Sequence, residues 1–189
     1  MIHTYIPYAP EGTNKNIGAV YNKFMGMIGD DDWAMFLDAD AMFTTHDYYK
    51  QIETIINAID KKGINIGLLT ACTNRIGNIE QIVFPKNSPE ANNHDIEFHR
   101  RVGKEIQKKN GNVLKKCKDP ISGVVLLLPK SVWQQTPGFM DGFLSVDNDI
   151  DYKIRSLGYH TAIMTGVYVY HWYRYDHKET GGLSPNGYK

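Results

Sequence analysis

Cysteine, long apolar runs and an excess of charge of either sign are all scarce in this chain, and each scarcity excludes something. There are two cysteines, Cys72 and Cys117, far apart and without Cys-x-x-Cys or Cys/His spacing. That argues against a zinc module or a disulfide scaffold and predicts reduced thiols in a cytoplasmic protein. No apolar stretch approaches the length of a bilayer span, so no integral membrane segment is expected. Met1 is followed by His3, Tyr5 and Pro7 rather than by a basic head and an apolar core, which predicts no targeting leader. Lysine plus arginine number 21 and aspartate plus glutamate 21. On that balance neither a nucleic-acid partner nor a polybasic membrane patch is expected. No internal repeat or linker divides the 189 residues, a length that suits one core, so residues 1–189 read as a single domain.

What is present is an alternation of apolar runs and helical patterns. Strands are expected over Ile2–Tyr8, Trp33–Leu37, Ile64–Ala71, Gly123–Leu128 and Thr161–Tyr170. Ile17, Val20, Phe24, Met27 and Ile28 recur at helical spacing, as do Ile52, Ile55, Ile56 and Ile59 before the stop at Lys61-Lys62-Gly63. Further helices are expected over Asp95–Lys109 and Asp149–Leu157. Strands alternating with helices define an α/β protein with a mostly parallel central sheet flanked by helices. Residues 75–93 and 176–189 carry turn-forming residues, and 75–93 and 172–189 are candidate lids.

The run Trp33-Ala34-Met35-Phe36-Leu37 stops at Asp38-Ala39-Asp40. Alternate residues of a strand share a face, so these carboxylates converge on one cation only if the chain has begun to turn there. Hard oxygen ligands suit Mg2+ or Mn2+, which keep open positions for phosphate. A second acidic group, Asp147, Asp149 and Asp151, opens a helix, where the positive end of the macrodipole favours carboxylates and Asp147 is placed to act as the N-cap.

The passage from Ile121-Ser122-Gly123 through Pro137-Gly138-Phe139-Met140-Asp141-Gly142-Phe143 to Asp147-Asn148-Asp149, Arg155 and Gly158-Tyr159 resembles glycosyltransferases of the GT-A fold, especially the family 2-like and galactosyltransferase-like inverting enzymes. Asn16-Ile17-Gly18-Ala19-Val20-Tyr21-Asn22 is similar to their first helix start, and the alignment covers most of the chain. The resemblance implies a single-domain GT-A fold with Asp38 and Asp40 in the D-x-D that holds a donor diphosphate through Mn2+ or Mg2+. His171, just past the last strand, matches a third metal ligand, and Asp147 matches the catalytic base. Pro7, Tyr8, Lys15, Asn22, Asp38, Ala39 and Asp40 fall at donor-contacting positions. Two departures stand out: Val146 replaces the glutamate of E-D-x-D, and the N-terminus lacks the strand and helix that read the base, leaving a UDP- or GDP-linked donor open.

The function so implied is transfer of a sugar from a nucleotide-diphosphate donor to a hydroxyl of a glycan, lipid or protein acceptor, with inversion. Arg174, His177 and Lys178 of the tail would close over the diphosphate. Two alternatives remain at this point: a degenerate nucleotide-sugar or glycan-binding module, and a sugar-phosphate nucleotidyltransferase, whose glycine-rich loop Glu11-Gly12-Thr13-Asn14-Lys15 does not supply.

Overall fold

The computed structural model describes residues 1–7, 16–85 and 88–172. Tyr8, Lys15, Arg174, His177 and Lys178, together with nearly all of the candidate tail lid, lie outside the described residues. Among the described residues seven strands form one sheet: β1 (Ile2–Tyr5), β2 (Trp33–Leu37), β3 (Ala41–Phe43), β4 (Ile66–Thr73), β5 (Leu114–Lys116), β6 (Val125–Pro129) and β7 (His160–His171). The helices are α1 (Ile17–Met27), α2 (Tyr48–Lys62), α3 (Ile96–Asn110), the single-turn α4 (Lys130–Trp133) and α5 (Val146–Ser156).

The strand order is β1-β2-β6-β4-β7-β3, with β5 also pairing β7. The sheet is mixed, not mostly parallel. Only β1 with β2 and β4 with β7 are parallel, while β6 runs antiparallel between β2 and β4, and β3 and β5 run antiparallel to β7. The cause is where each strand starts. The segment before β6 is fixed at the edge where β2 and β4 end, so β6 must run back from it. Likewise β3 follows β2 through a tight turn but pairs with β7 instead of folding back on β2.

Every residue of β2, β4 and β6 is buried, as expected of strands covered on both faces. One face carries α2, whose Ile52, Ile55, Ile56 and Ile59 pack on Met35, Leu69 and Leu127. The other carries α1 and α5, through Tyr21, Met25, Ile150 and Ile154 against Phe36, Leu68 and Leu126. Each such isoleucine contributes about 2 kcal/mol by leaving water. The expected helix stop at Gly63 is present, with a left-handed φ of 60°.

The structure differs from expectation at α5. It begins at Val146, and its N-cap is Ser145, not Asp147. Ser145 has a φ of 62° and is the one non-glycine residue at positive φ among the described residues, a costly conformation that persists only where neighbours enforce it. Residues 75–85 are also no free lid. Ile82 bridges Thr73, the Val83 N–H donates to the Thr73 carbonyl at 3.1 Å, and the buried Asn78 and Gln81 side chains hold the 120–122 backbone.

Candidate metal centre and its acidic neighbour

Because β2, β4 and β7 point the same way, their carboxyl ends share one sheet edge. After Leu37 the chain turns, with the Ala41 N–H donating to the Asp38 carbonyl at 3.0 Å, which meets the condition under which Asp38 and Asp40 face one point. Ala41 pairs with His171 and the Trp172 N–H donates to the Asp40 carbonyl at 2.9 Å. The end of β7 is thereby brought against the acidic turn. His171 Nε2 lies 3.3 Å from Asp40 Oδ1 and 3.9 Å from Asp38 Oδ2. One ligand atom from each of the three residues lies within 4.8 Å of the others.

Two ligands each about 2.1 Å from one ion sit about 3 to 4 Å apart, so the spacing fits a shared cation. The imidazole is set up for the task. Its Nδ1 lies 3.0 Å from the Arg75 carbonyl; a carbonyl only accepts, so Nδ1 carries a proton and Nε2 is the nitrogen that faces the carboxylates, donating to Asp40 as imidazolium or offering its lone pair to an ion as neutral imidazole. Asn74, fully buried directly past β4, fixes the backbone here. It accepts from the His171 N–H at 2.8 Å and donates to the carbonyls of His171 and Ala91, each at 3.1 Å. Sequence reasoning assigned no role to Asn74. The signal was the same one that marked Asp38, a polar residue directly after a buried strand.

Charge is crowded at this edge. Desolvation pushes the Asp38 carboxyl up to about 7, His171 opposes the rise, and Asp40 and Asp147 add to it. A third of the Asp38 side chain nevertheless stays exposed, so a ligand has access. Asp40 is desolvated too, yet the hydrogen bond and charge of His171 hold its carboxyl below the ordinary range. Two carboxylate oxygens and one imidazole nitrogen, one carboxylate costly to ionise unaided, are a donor set suited to a divalent cation.

Asp147 lies in the first turn of α5. Its Oδ2 accepts from the Gly123 N–H at 2.7 Å, and the Asp38 N–H donates to the Val124 carbonyl at 3.2 Å, so the two aspartates flank the same entry to β6. A Cβ on Gly123 would sit 2.9 Å from that of Asp147, which explains the glycine. Burial raises the Asp147 carboxyl, opposed by backbone N–H groups of Asn148, Gly123 and Asp147 itself. The buried Tyr21 ring packs on Phe36 and Phe139, and its hydroxyl feels both Asp38 and Asp147.

The other described residues expected at the donor, Pro7, Asn22 and Ala39, are not part of the three-residue cluster. Asn22 spends its amide on the Phe139 backbone, both ways at 2.8 Å, and on Trp133 Nε1 at 3.2 Å. It fastens α1 to the 138–139 loop. Pro7 lies two residues past β1; since Tyr5 pairs with Phe36, it reaches the same sheet edge as Asp38. Ala39 is exposed within the turn. Asp149 bonds Lys153 Nζ at 2.6 Å, and Asp141 accepts from Asn16 at 3.1 Å. Asp151, which the sequence left without a task, is fully buried and bonds Arg155 Nε at 2.8 Å, the Ile121 N–H at 3.2 Å and the Thr161 hydroxyl. No protein-family model matches the chain, and no curated protein matches it.

Proposed function

We propose that this chain is a metal-dependent inverting glycosyltransferase, moving a sugar from a nucleotide-diphosphate donor to an acceptor hydroxyl. The observation that carries the reading is the convergence of Asp38, Asp40 and His171 at the sheet edge where Asp147 also lies. Mn2+ or Mg2+ held by the first three residues would supply neutralisation of the charge on the departing diphosphate. The resemblance of the surrounding sequence to GT-A enzymes supplies the reaction class; the geometry alone supports only a metal centre beside a raised carboxylate.

In this reading Asp38 and Asp40 position the diphosphate, and Arg75, through its carbonyl, keeps the His171 ring aimed. Asp147 keeps Oδ2 on Gly123, which orients Oδ1 to accept the acceptor proton as the hydroxyl attacks the anomeric carbon from the side opposite the leaving group. A carboxylate raised by burial is a stronger base than one in water, and such a base contributes about a hundredfold to ten-thousandfold. The Asp147–Gly123 bond also favours a second reading, a glycan- or nucleotide-sugar-binding module in which Asp147 only shapes the loop.

A panel of UDP- and GDP-linked sugars with Mn2+ or EDTA separates these readings. The transferase reading expects metal-dependent donor hydrolysis that Asp40→Asn abolishes. Donor binding without turnover would support the binding module, and equal nucleotide affinity with Mn2+ and EDTA would remove both the metal role and the transferase.

A further inference from the structure

The overall charge balance hides a strong segregation. Eight of the 21 lysines and arginines lie between Arg100 and Lys118, against one acid, Glu105. These residues belong to α3 and β5, and the fold puts both on one edge of the sheet. α3 ends where the Asn110 side chain donates to the Thr165 carbonyl of β7 at 2.8 Å, and the Thr165 N–H donates back to the Val113 carbonyl at 3.0 Å. A Cβ at Gly166 would collide with the Gly111 carbonyl, so the helix end lies directly on β7. The chain then pairs as β5 with Ala162–Met164 of the same strand.

Along α3 the buried His99 and Gly103 face inwards. Arg101, Lys104 and Lys108, spaced three and four apart, form a stripe on the exposed side. Arg100 and Lys115 pair with Glu97 at 2.6 Å and Glu80 at 3.2 Å. Arg101, Lys104, Lys108, Lys109, Lys116 and Lys118 are exposed and have no ion pair among the described residues. Between helix and strand, Val113 stands 59% exposed.

We propose that the α3–β5 edge docks on an anionic phospholipid surface. Three observations favour lipid over nucleic acid. The cations are mostly lysines, point charges on flexible stems that match a mobile headgroup array, where arginine's rigid fork suits fixed phosphates. No aromatic residue lies between Arg100 and Lys118, so bases have no ring to stack on. An exposed valine at the centre of a basic face adds an apolar contact at the headgroup boundary. This is docking from one side, compatible with the absence of a membrane-spanning helix among the described residues, and it does not rest on the transferase reading.

The test is sedimentation of the full chain with vesicles of phosphatidylcholine alone and with about one-third phosphatidylserine, alongside a duplex RNA arm. The expected result is binding to the anionic vesicles only, weakening as salt rises. Each cation near such a surface is worth about fivefold, so Arg101→Gln with Lys104→Gln and Lys108→Gln should weaken binding about a hundredfold. Lys61→Gln with Lys62→Gln, at the exposed end of α2, should change it less than about fivefold; circular dichroism checks that both variants fold. No binding to anionic vesicles, equal binding to neutral ones, or equal loss from both variants would overturn the proposal. Tighter binding to RNA than to vesicles would replace the lipid with nucleic acid.

Discussion

A carboxyl group near either of two regions of this molecule behaves in opposite ways. At the acidic edge, Asp38 is pushed up to about 7 by desolvation and by Asp40 and Asp147, in spite of His171. Beside the basic α3–β5 edge, Glu80 is held down at about 2, chiefly by the Asp119 N–H and then, against the cost of its partial burial, by the Lys118 N–H and Lys115. Glu80 Oε1 accepts from those two amides at 2.9 and 2.7 Å. The first region gathers anions without enough donors, the arrangement that a cation would relieve. The second is internally satisfied and leaves its surplus charges in water, where long side chains carry them at little cost. Charge that is crowded and desolvated marks a site for a small ion; charge that is spread and solvated marks a surface for an extended partner.

The largest expected effect tests whether the acidic edge does chemistry. Asp147→Asn should retain nucleotide binding and lose transfer by about a hundredfold or more, read as kcat in a donor-consumption assay. Unchanged turnover would leave Asp147 as a fastening for Gly123.

Next comes Asp151, an acid of the same cluster that faces the core. Asp151→Asn leaves the Arg155 guanidinium without its carboxylate and should cost about 3 kcal/mol of stability, seen as a lower urea midpoint. Metal affinity, measured under folding conditions, should not change. A loss of affinity without a loss of stability would move Asp151 into the site.

Mn2+ at a hundredfold excess over its dissociation constant should stabilise the wild type by about 2.7 kcal/mol and should not stabilise His171→Ala. Thermal unfolding with and without Mn2+ reads this directly. Equal shifts in both proteins would place the ion elsewhere.

The contrast between the two carboxyls has a signature in pH. The Asp38 pKa is higher folded than unfolded, so without a cation its contribution is fully present below about pH 4 and is lost as pH rises through about 7; Asp38→Asn should abolish that loss. The Glu80 pKa is lower folded, so its contribution is present above about pH 4.5 and is lost as pH falls towards 2; Glu80→Gln should abolish that one. Denaturation curves across pH check both, and slopes of the same sign would break the comparison.

The smallest effect belongs to the basic edge. Arg101→Gln with Lys104→Gln and Lys108→Gln should shift stability by less than about 0.5 kcal/mol, because exposed charges on a helix that glutamine also favours hold nothing together. A larger loss would mean that the stripe is structural.

Much of this was legible in the residues. The buried strands appeared as apolar runs, and β2 was placed to the residue because Asp38 ends it as abruptly in the fold as in the sequence. Strand β3 and strand β5 were not foreseen, since three residues each of Ala-Met-Phe and Leu-Lys-Lys carry no periodicity and become strands only by pairing with β7. The direction of β6 was equally hidden, because apolar content says that a strand is buried and not which way it runs.

The candidate metal ligands show the same division. Asp38 and Asp40 announce themselves by following an apolar run, and His171 by following another. Their meeting depends on a turn, a β3–β7 pairing and an asparagine more than ninety residues away in the chain from the histidine it holds. The sequence determined that the chain is α/β, where its long strands and helices lie, and that carboxylates stand at strand ends. These follow from local propensity and from the cost of burying charge, which act residue by residue. Only the tertiary structure decided that the sheet is mixed, that Asp151 faces the core while Asp147 lies beside Asp38, and that the cations between Arg100 and Lys118 share one edge of the sheet. Those outcomes depend on contacts between distant segments, and the free energy of such a contact has no value until both partners are in place.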